Sequence, residues 1–155
     1  ALVRDALAAA RPQGTRILVN DRLDVAIAAG AHGVHLGRES LPVAEVVRWV
    51  GERDFSVGAS CHSLPELQEA EQAGADYAFF GPVFATPSKA AAGAPQGIDK
   101  LAAACRAVRI PVLAIGGITL DNARSCCDAG AAGIAAIRLF QQAPDFAALA
   151  RLQSC

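Results

Sequence analysis

Pro111-Val112-Leu113-Ala114-Ile115-Gly116-Gly117-Ile118-Thr119-Leu120-Asp121-Asn122 reads as one complete strand-to-helix unit. Its apolar run has the length of a buried parallel strand and stops at a glycine pair. Thr119-Leu120-Asp121-Asn122 then starts a helix over Leu120–Ala129, which Gly130 closes. Glycines at such a junction let backbone N–H groups approach an anion, and the helix N-terminus adds a favourable dipole. The same pair also makes an ordinary tight turn.

The unit recurs along the chain. Arg16–Asn20, Gly33–Gly37, Ser56–Ser60, Tyr77–Val83, Pro111–Gly117 and Gly133–Phe140 are predicted strands, each edged by Gly, Pro, Asn or Ser. Helical patterns lie between them. Pro42–Val50 puts Val43, Val46, Val47 and Val50 on one face, opposite Glu45 and Arg48. Leu64–Ala73 is announced by Ser63 as N-cap, Pro65 in the first turn and Glu66 completing a capping box. Ala1–Ala10, Asp99–Val108 and Asp145–Leu152 are the remaining predicted helices, besides the one starting at Leu120. Strands alternating with helices at intervals of about 20–25 residues imply a parallel sheet covered by helices.

Two closures compete: an open doubly wound sheet, and a (β/α)8 TIM barrel lacking its first strand, first helix and second strand. No G-x-G-x-x-G follows a strand, which weakens a dinucleotide-binding open sheet. Polar residues gather where strands end, at Asn20-Asp21-Arg22, Gly37-Arg38-Glu39-Ser40, Ser60-Cys61-His62, Thr86-Pro87-Ser88-Lys89 and Arg138. Barrels build their active sites there, so the barrel is favoured.

Composition narrows the function. The 155 residues, 53% hydrophobic and 19% charged, suit one domain with a real core, taken here as 1–155. Disorder is excluded. A net charge of −1 argues against nucleic acid as a partner. The Ala129–Ile137 run is far shorter than the ~20 residues that span a bilayer, so no membrane segment is expected. Five cysteines without C-x-x-C spacing argue against a disulfide framework or zinc site. They read as small apolar residues in a reducing cytoplasm, with Cys61 of interest for its neighbours. A chain that starts at Ala1 and contains no methionine is expected to be part of a longer product.

Several side chains are equipped for chemistry. Asp21 has the chemistry of a Mg²⁺ ligand, and equally that of a cap on the helix starting at Leu23 with Arg22 paired to a surface carboxylate. The long segment from Phe84 to Gly97 carries two hydroxyls and one ammonium, donors suited to phosphate. His62, just past a strand end, has the position of a general acid or base. His35 reads as an interior polar group, and His32 as an exposed loop residue.

Taken in order, Leu18-Val19-Asn20-Asp21-Arg22-Leu23-Asp24, Gly33-Val34-His35-Leu36-Gly37, Ser60-Cys61-His62-Ser63, Gly81-Pro82-Val83-Phe84-Ala85-Thr86-Pro87-Ser88-Lys89 and Ala114-Ile115-Gly116-Gly117-Ile118 resemble the thiamine phosphate synthase family, which includes the thiazole tautomerase. The resemblance covers essentially the whole chain and implies a (β/α)8 barrel. It implies coupling of hydroxymethylpyrimidine pyrophosphate to thiazole phosphate, with small phosphorylated substrates as partners. Departing pyrophosphate leaves a pyrimidine cation, which the thiazole nitrogen captures.

By the same resemblance, Asn20 contacts the pyrimidine-side substrate and Asp21 binds Mg²⁺. Ser60 lies near the pyrimidine and pyrophosphate, and Thr86, Ser88 and Lys89 hold phosphate groups. Lys89 stabilises the departing charge, and the Gly117 N–H holds the thiazole phosphate. Ser40 stands where the family has a second Mg²⁺ carboxylate, and Arg138 where it has a phosphate-contacting serine. The family's early pyrophosphate-binding strand would precede Ala1. The alternative is the metal-independent tautomerase, with His62 as its acid/base. A second alternative is a non-catalytic sensor of a phosphate ligand. Oligomeric state is left open, a homo-oligomer included.

Overall fold

A computed structural model describes residues 1–10, 14–86 and 94–142. Alternation of short strands with amphipathic helices gives α1 (Leu2–Ala9), β1 (Leu18–Asn20), α2 (Leu23–Ala29), β2 (Gly33–Leu36), α3 (Val43–Val50), β3 (Ser56–Cys61) and α4 (Leu64–Gln72). Then follow β4 (Tyr77–Phe80), α5 (Gly97–Ala107), β5 (Val112–Ile115), α6 (Leu120–Asp128), β6 (Gly133–Ala135) and α7 (Arg138–Gln142). The predicted helix Asp145–Leu152 lies outside the described residues.

All six strands are parallel and pair in chain order, β1-β2-β3-β4-β5-β6. Alternate side chains of each strand turn toward the helices. Val34, Leu36 and Val57 pack with Ala26, Val46 and Val50, while Ala59, Cys61, Ala78, Phe80, Val112 and Ala114 pack with Leu67, Leu101 and Cys126. The intervening residues of the sheet include His35, Ser60, Tyr77 and Phe79, which face one another on the other side. A parallel sheet in sequential order with one helix-covered face is a half-barrel, and the polar strand ends collect along its carboxyl edge.

Local chemistry sets the boundaries, with some departures from expectation. Ser63 caps α4 by accepting from the Glu66 N–H, as expected. The Glu66 carboxylate does not complete the capping box: it accepts instead from the His62 N–H at 2.6 Å, tying the β3 end to α4. The complete capping box belongs to α6, between Thr119 and Asn122. Asp21 does not cap α2, whose N-cap is Arg22 without a side-chain cap bond. Arg22 instead forks onto Asp24, at 2.8 and 2.6 Å. His32 is not a free loop residue, because its Nδ1 accepts from the Ile17 N–H at 2.9 Å.

The last predicted strand is shorter than the Gly133–Phe140 run. Its ladder ends where Ala135 meets Ile115, the last residue of β5, so beyond it the chain has no partner strand and turns into α7. Arg138 therefore opens a helix rather than ending a strand. Cys61, Cys105 and Cys126 are free thiols, whereas Cys127 is disulfide-bonded, contrary to the expectation for all five. Among the described residues no helix is long and apolar enough to cross a membrane.

Leu67 and Leu101 are fully buried between helices and sheet. Replacing Leu67 with alanine is expected to cost about 2–5 kcal/mol, the sum of lost transfer energy and a residual cavity. Urea unfolding of the two proteins, compared at constant m-value, measures it.

Candidate active site at the carboxyl edge of the sheet

Strand register places Asn20 beside His35, His35 beside Gly58, and Gly58 beside Tyr77. That row brings residues from four strands to one level. A Cβ on Gly58 would lie 2.0 Å from the Tyr77 Cζ, so only glycine lets the phenol ring cross β3. The ring reaches His35, whose Nδ1 is 3.0 Å from the Tyr77 hydroxyl. The other nitrogen, Nε2, is 2.8 Å from the Ser60 Oγ. Phe79 stacks on the imidazole with centroids 4.1 Å apart.

His35 is 8% exposed, and burial pushes its pKa down from 6.5 to about 4. Burial, with the nearby Asp76 charge adding to it, pushes Tyr77 up to about 12. Both groups are therefore neutral near pH 7. Sequence reasoning identified His35 as an interior polar group but missed Tyr77 as a site residue. The Gly58–Tyr77 register was the missing signal, and it is visible only once strands are paired.

His62 lies just beyond β3. Its Nδ1 is 2.5 Å from the Gly81 carbonyl, which can only accept, so Nδ1 carries the proton and Nε2 is the basic nitrogen of the neutral ring. The Gln96 amide donates to the His62 carbonyl at 2.8 Å, joining the start of α5 to the end of β3. His62 thus has a fixed orientation, as a proton-transfer role requires.

The β4 exit and the β5 end pack closely. Val83 N–H donates to the Ile115 carbonyl at 2.9 Å, and Phe84 N–H to Gly116 at 3.0 Å. Gly117 has φ of 66°, and a Cβ there would lie 2.6 Å from the Ala85 carbonyl oxygen. The glycine pair is thus required by packing, whether or not an anion also binds. Beyond Ala85, the Thr86 hydroxyl accepts from Arg138 Nη2 at 2.7 Å, a contact across 52 positions of sequence. Two candidate phosphate contacts, Thr86 and Arg138, are brought together, with Gly117 beneath the segment that carries one of them. Ser88 and Lys89 lie outside the described residues.

Asp21 closes the first strand with φ of 66°, the only described non-glycine residue with positive φ. Its N–H donates to the His35 carbonyl at 2.8 Å. Because Arg22 is taken by Asp24, the Asp21 carboxylate has no ion pair among the described residues. Ser40 is otherwise engaged: its Oγ accepts from the Gly37 N–H at 2.7 Å and closes the turn after β2. No group of three or more acidic, histidine or cysteine side chains that could hold a metal occurs among the described residues. One carboxylate is nonetheless enough for Mg²⁺, which usually takes one or two together with substrate phosphate and water.

A parallel half-barrel whose polar side chains converge at the carboxyl ends of its strands has the layout of the (β/α)-barrel enzymes. A family model described as thiamine monophosphate synthase matches residues 1–140, and the chain belongs to that family. It is 45% identical over 141 residues to the thiamine-phosphate synthase of Chloroflexus aurantiacus, covering 91% of this chain and 64% of the relative. It is 48% identical over 143 residues to the thiamine biosynthesis bifunctional protein ThiM/ThiE of Symbiobacterium thermophilum, covering 92% of this chain and 30% of the relative. Among solved structures, the thiamine phosphate pyrophosphorylase from Pyrococcus furiosus superposes with a TM-score of 0.74 at 39% identity, covering 88% of this chain and 63% of that one. The chain thus spans less than two thirds of each of these relatives.

The depressed His35 pKa has a consequence for stability. The unfolded chain binds this proton more tightly than the folded one, so the neutral ring's contribution is complete above pH 6.5 and is lost as pH falls toward 4. Unfolding free energy is expected to fall by about 1.4 kcal/mol per pH unit across that window from this group. Denaturant titrations of wild type and His35→Gln at several pH values test it: the variant's profile should be flatter by that slope.

Proposed function

We propose that the full-length protein is a thiamine phosphate synthase on a closed (β/α)8 barrel, joining hydroxymethylpyrimidine pyrophosphate to thiazole phosphate and releasing pyrophosphate. The observation that carries this reading is the 45% identity to a thiamine-phosphate synthase over 91% of the chain. Loss of pyrophosphate generates a pyrimidine cation, and the thiazole nitrogen captures it. The reaction needs charge neutralised on the leaving group and water kept out.

The roles of the residues are those that the family resemblance implies, and the contact between Thr86 and Arg138 supports them at that point. Asn20 and Ser60 contact the pyrimidine-side substrate, Ser60 toward its pyrophosphate. Arg138, held against Thr86, offers a guanidinium to phosphate oxygens with a formal charge that a hydroxyl lacks. Thr86, Ser88 and Lys89 complete the donors to phosphate, and the Gly117 N–H meets the thiazole phosphate. Lys89 stabilises the departing pyrophosphate. Asp21 is the carboxylate that would hold Mg²⁺, and when bound the ion neutralises pyrophosphate charge. Asp21 has a left-handed backbone, and its carboxylate makes no cap bond to α2. The substrates are small phosphorylated molecules, and the compartment is the cytoplasm.

A second reading, the thiazole tautomerase, is favoured by one observation, the fixed His62 ring with its basic Nε2. Assay of the full-length protein with both substrates, with and without Mg²⁺, separates the two. Coupling that requires Mg²⁺ supports the synthase. Metal-independent isomerisation lost in His62→Ala selects the tautomerase, and ligand binding without turnover selects a sensor. In the synthase, Lys89→Ala is expected to lower kcat by about 10²–10³ while thiazole phosphate still binds. Asp21→Asn preserves a residue that tolerates the left-handed backbone, and it should raise the Mg²⁺ concentration needed for half-maximal rate. An unchanged Mg²⁺ response would remove Asp21 from the metal site.

A further inference from the structure

We infer that His35 and Tyr77 are positioning residues that set the direction of the Ser60 hydroxyl, so that its hydrogen points to an anionic oxygen of the bound substrate. The inference rests on the synthase reading for the identity of that anion, and otherwise on the three side chains alone. Ser60 Oγ, His35 Nε2, His35 Nδ1 and the Tyr77 hydroxyl form one chain with links of 2.8 and 3.0 Å. These two links are the only hydrogen bonds those four polar atoms make among the described residues. Phe79 against the ring and the Gly58 gap beneath the phenol hold the geometry.

The chain has two proton orders. In one, the phenol donates to Nδ1, Nε2–H donates to Ser60, and the serine hydrogen is free to donate onward. In the other, Ser60 donates to Nε2, Nδ1–H donates to the phenol oxygen, and serine offers only lone pairs. A phenol is more acidic than an alcohol, and its oxygen is a poorer acceptor because its lone pair spreads into the ring. An unprotonated imidazole nitrogen is the strongest acceptor in the chain. The first order therefore prevails, and it leaves Ser60 as the donor that a phosphate or pyrophosphate oxygen needs.

A serine–histidine pair also suggests an activated nucleophile. Here the second ring nitrogen meets the Tyr77 phenol and not a carboxylate, so nothing in this chain stabilises the imidazolium that taking a serine proton would create. Orientation, not activation, is what this imidazole supplies. Its neutrality is useful in its own right, since a charged ring would donate from both nitrogens and could not accept from the phenol.

The test has a spectroscopic and a binding arm, both on the full-length protein. With ¹⁵N-labelled histidine, His35 is assigned by loss of its signals in His35→Phe. It is expected to show a protonated Nε2 and an unprotonated Nδ1, and Tyr77→Phe should shift it toward a tautomer mixture. A protonated Nδ1 in the wild type overturns the proton order. In the second arm, affinity for inorganic pyrophosphate is measured by calorimetry. Ser60→Ala and His35→Phe should each weaken it about tenfold, the size of one hydrogen bond to a charged oxygen. The double variant should be no weaker than Ser60→Ala alone, because His35 acts through Ser60. Tyr77→Phe, which keeps the ring packed, should show a smaller loss of the same origin, and His35→Gln a partial rescue. Additive losses, or wild-type affinity in either single variant, overturn the inference. Absence of coupling activity with both arms as expected would instead count against the synthase reading alone.

Discussion

Every strand in this sheet hydrogen-bonds to neighbours running in the same direction, and a parallel connection must pass over the sheet through a helix. With the strands in chain order, those helices cover one face, so alternate side chains of each strand have separate fates. Val34, Leu36, Val57, Ala59, Ala78 and Phe80 disappear beneath helices. Their neighbours in sequence, His35, Ser60, Tyr77 and Phe79, are left facing one another. The candidate site is a consequence of that alternation. A one-residue slip in β2 would exchange Val34 or Leu36 for His35 at the helix interface and dissolve both the core and the polar chain.

Missing side-chain atoms shape the site as much as those present. Gly58 leaves the room in which the Tyr77 ring lies, and the Gly116-Gly117 pair lets the β4 exit press against the end of β5. The second contact carries Thr86 to Arg138. A glycine pair at a strand end therefore has two compatible explanations here. Packing demands it, and the proposed phosphate contact uses the backbone that packing has exposed. Of the proposed phosphate donors, Arg138 stands at a helix start and Thr86 lies beyond the β4 exit, while the neutral polar chain comes from strands. Fixed dipoles on strands and charges at the rim would suit the proposed coupling reaction, in which the leaving group is highly charged and the cation must be kept from water.

Much of this was legible from the chain alone because it depends on period and punctuation. Strand–helix alternation, the parallel sheet, Ser63 as a cap and the gathering of Asn20, Asp21, Ser60, His62 and Thr86 at strand ends are all one-dimensional patterns. The order of Leu18–Asp24, Gly33–Gly37, Ser60–Ser63, Gly81–Lys89 and Ala114–Ile118 was enough to recognise the family. Boundaries were less legible where apolar content persisted past a strand's partner. Gly133–Ile137 is apolar throughout, yet β6 stops at Ala135 because β5 stops at Ile115. Glu66 has the spacing of a capping-box residue, but the His62 N–H, brought close by the β3-to-α4 turn, takes its carboxylate.

The sequence by itself determined the alternation of elements, the parallel class and the residues presented at the carboxyl edge, because each follows from local periodicity and chain direction. Only the tertiary structure decided which of those residues meet. The Arg138–Thr86 contact, the row from Asn20 to Tyr77 and the buried chain from Tyr77 through His35 to Ser60 all depend on strand register. Register is a relation between distant segments, set by how their side chains pack together, and no single stretch of sequence contains it.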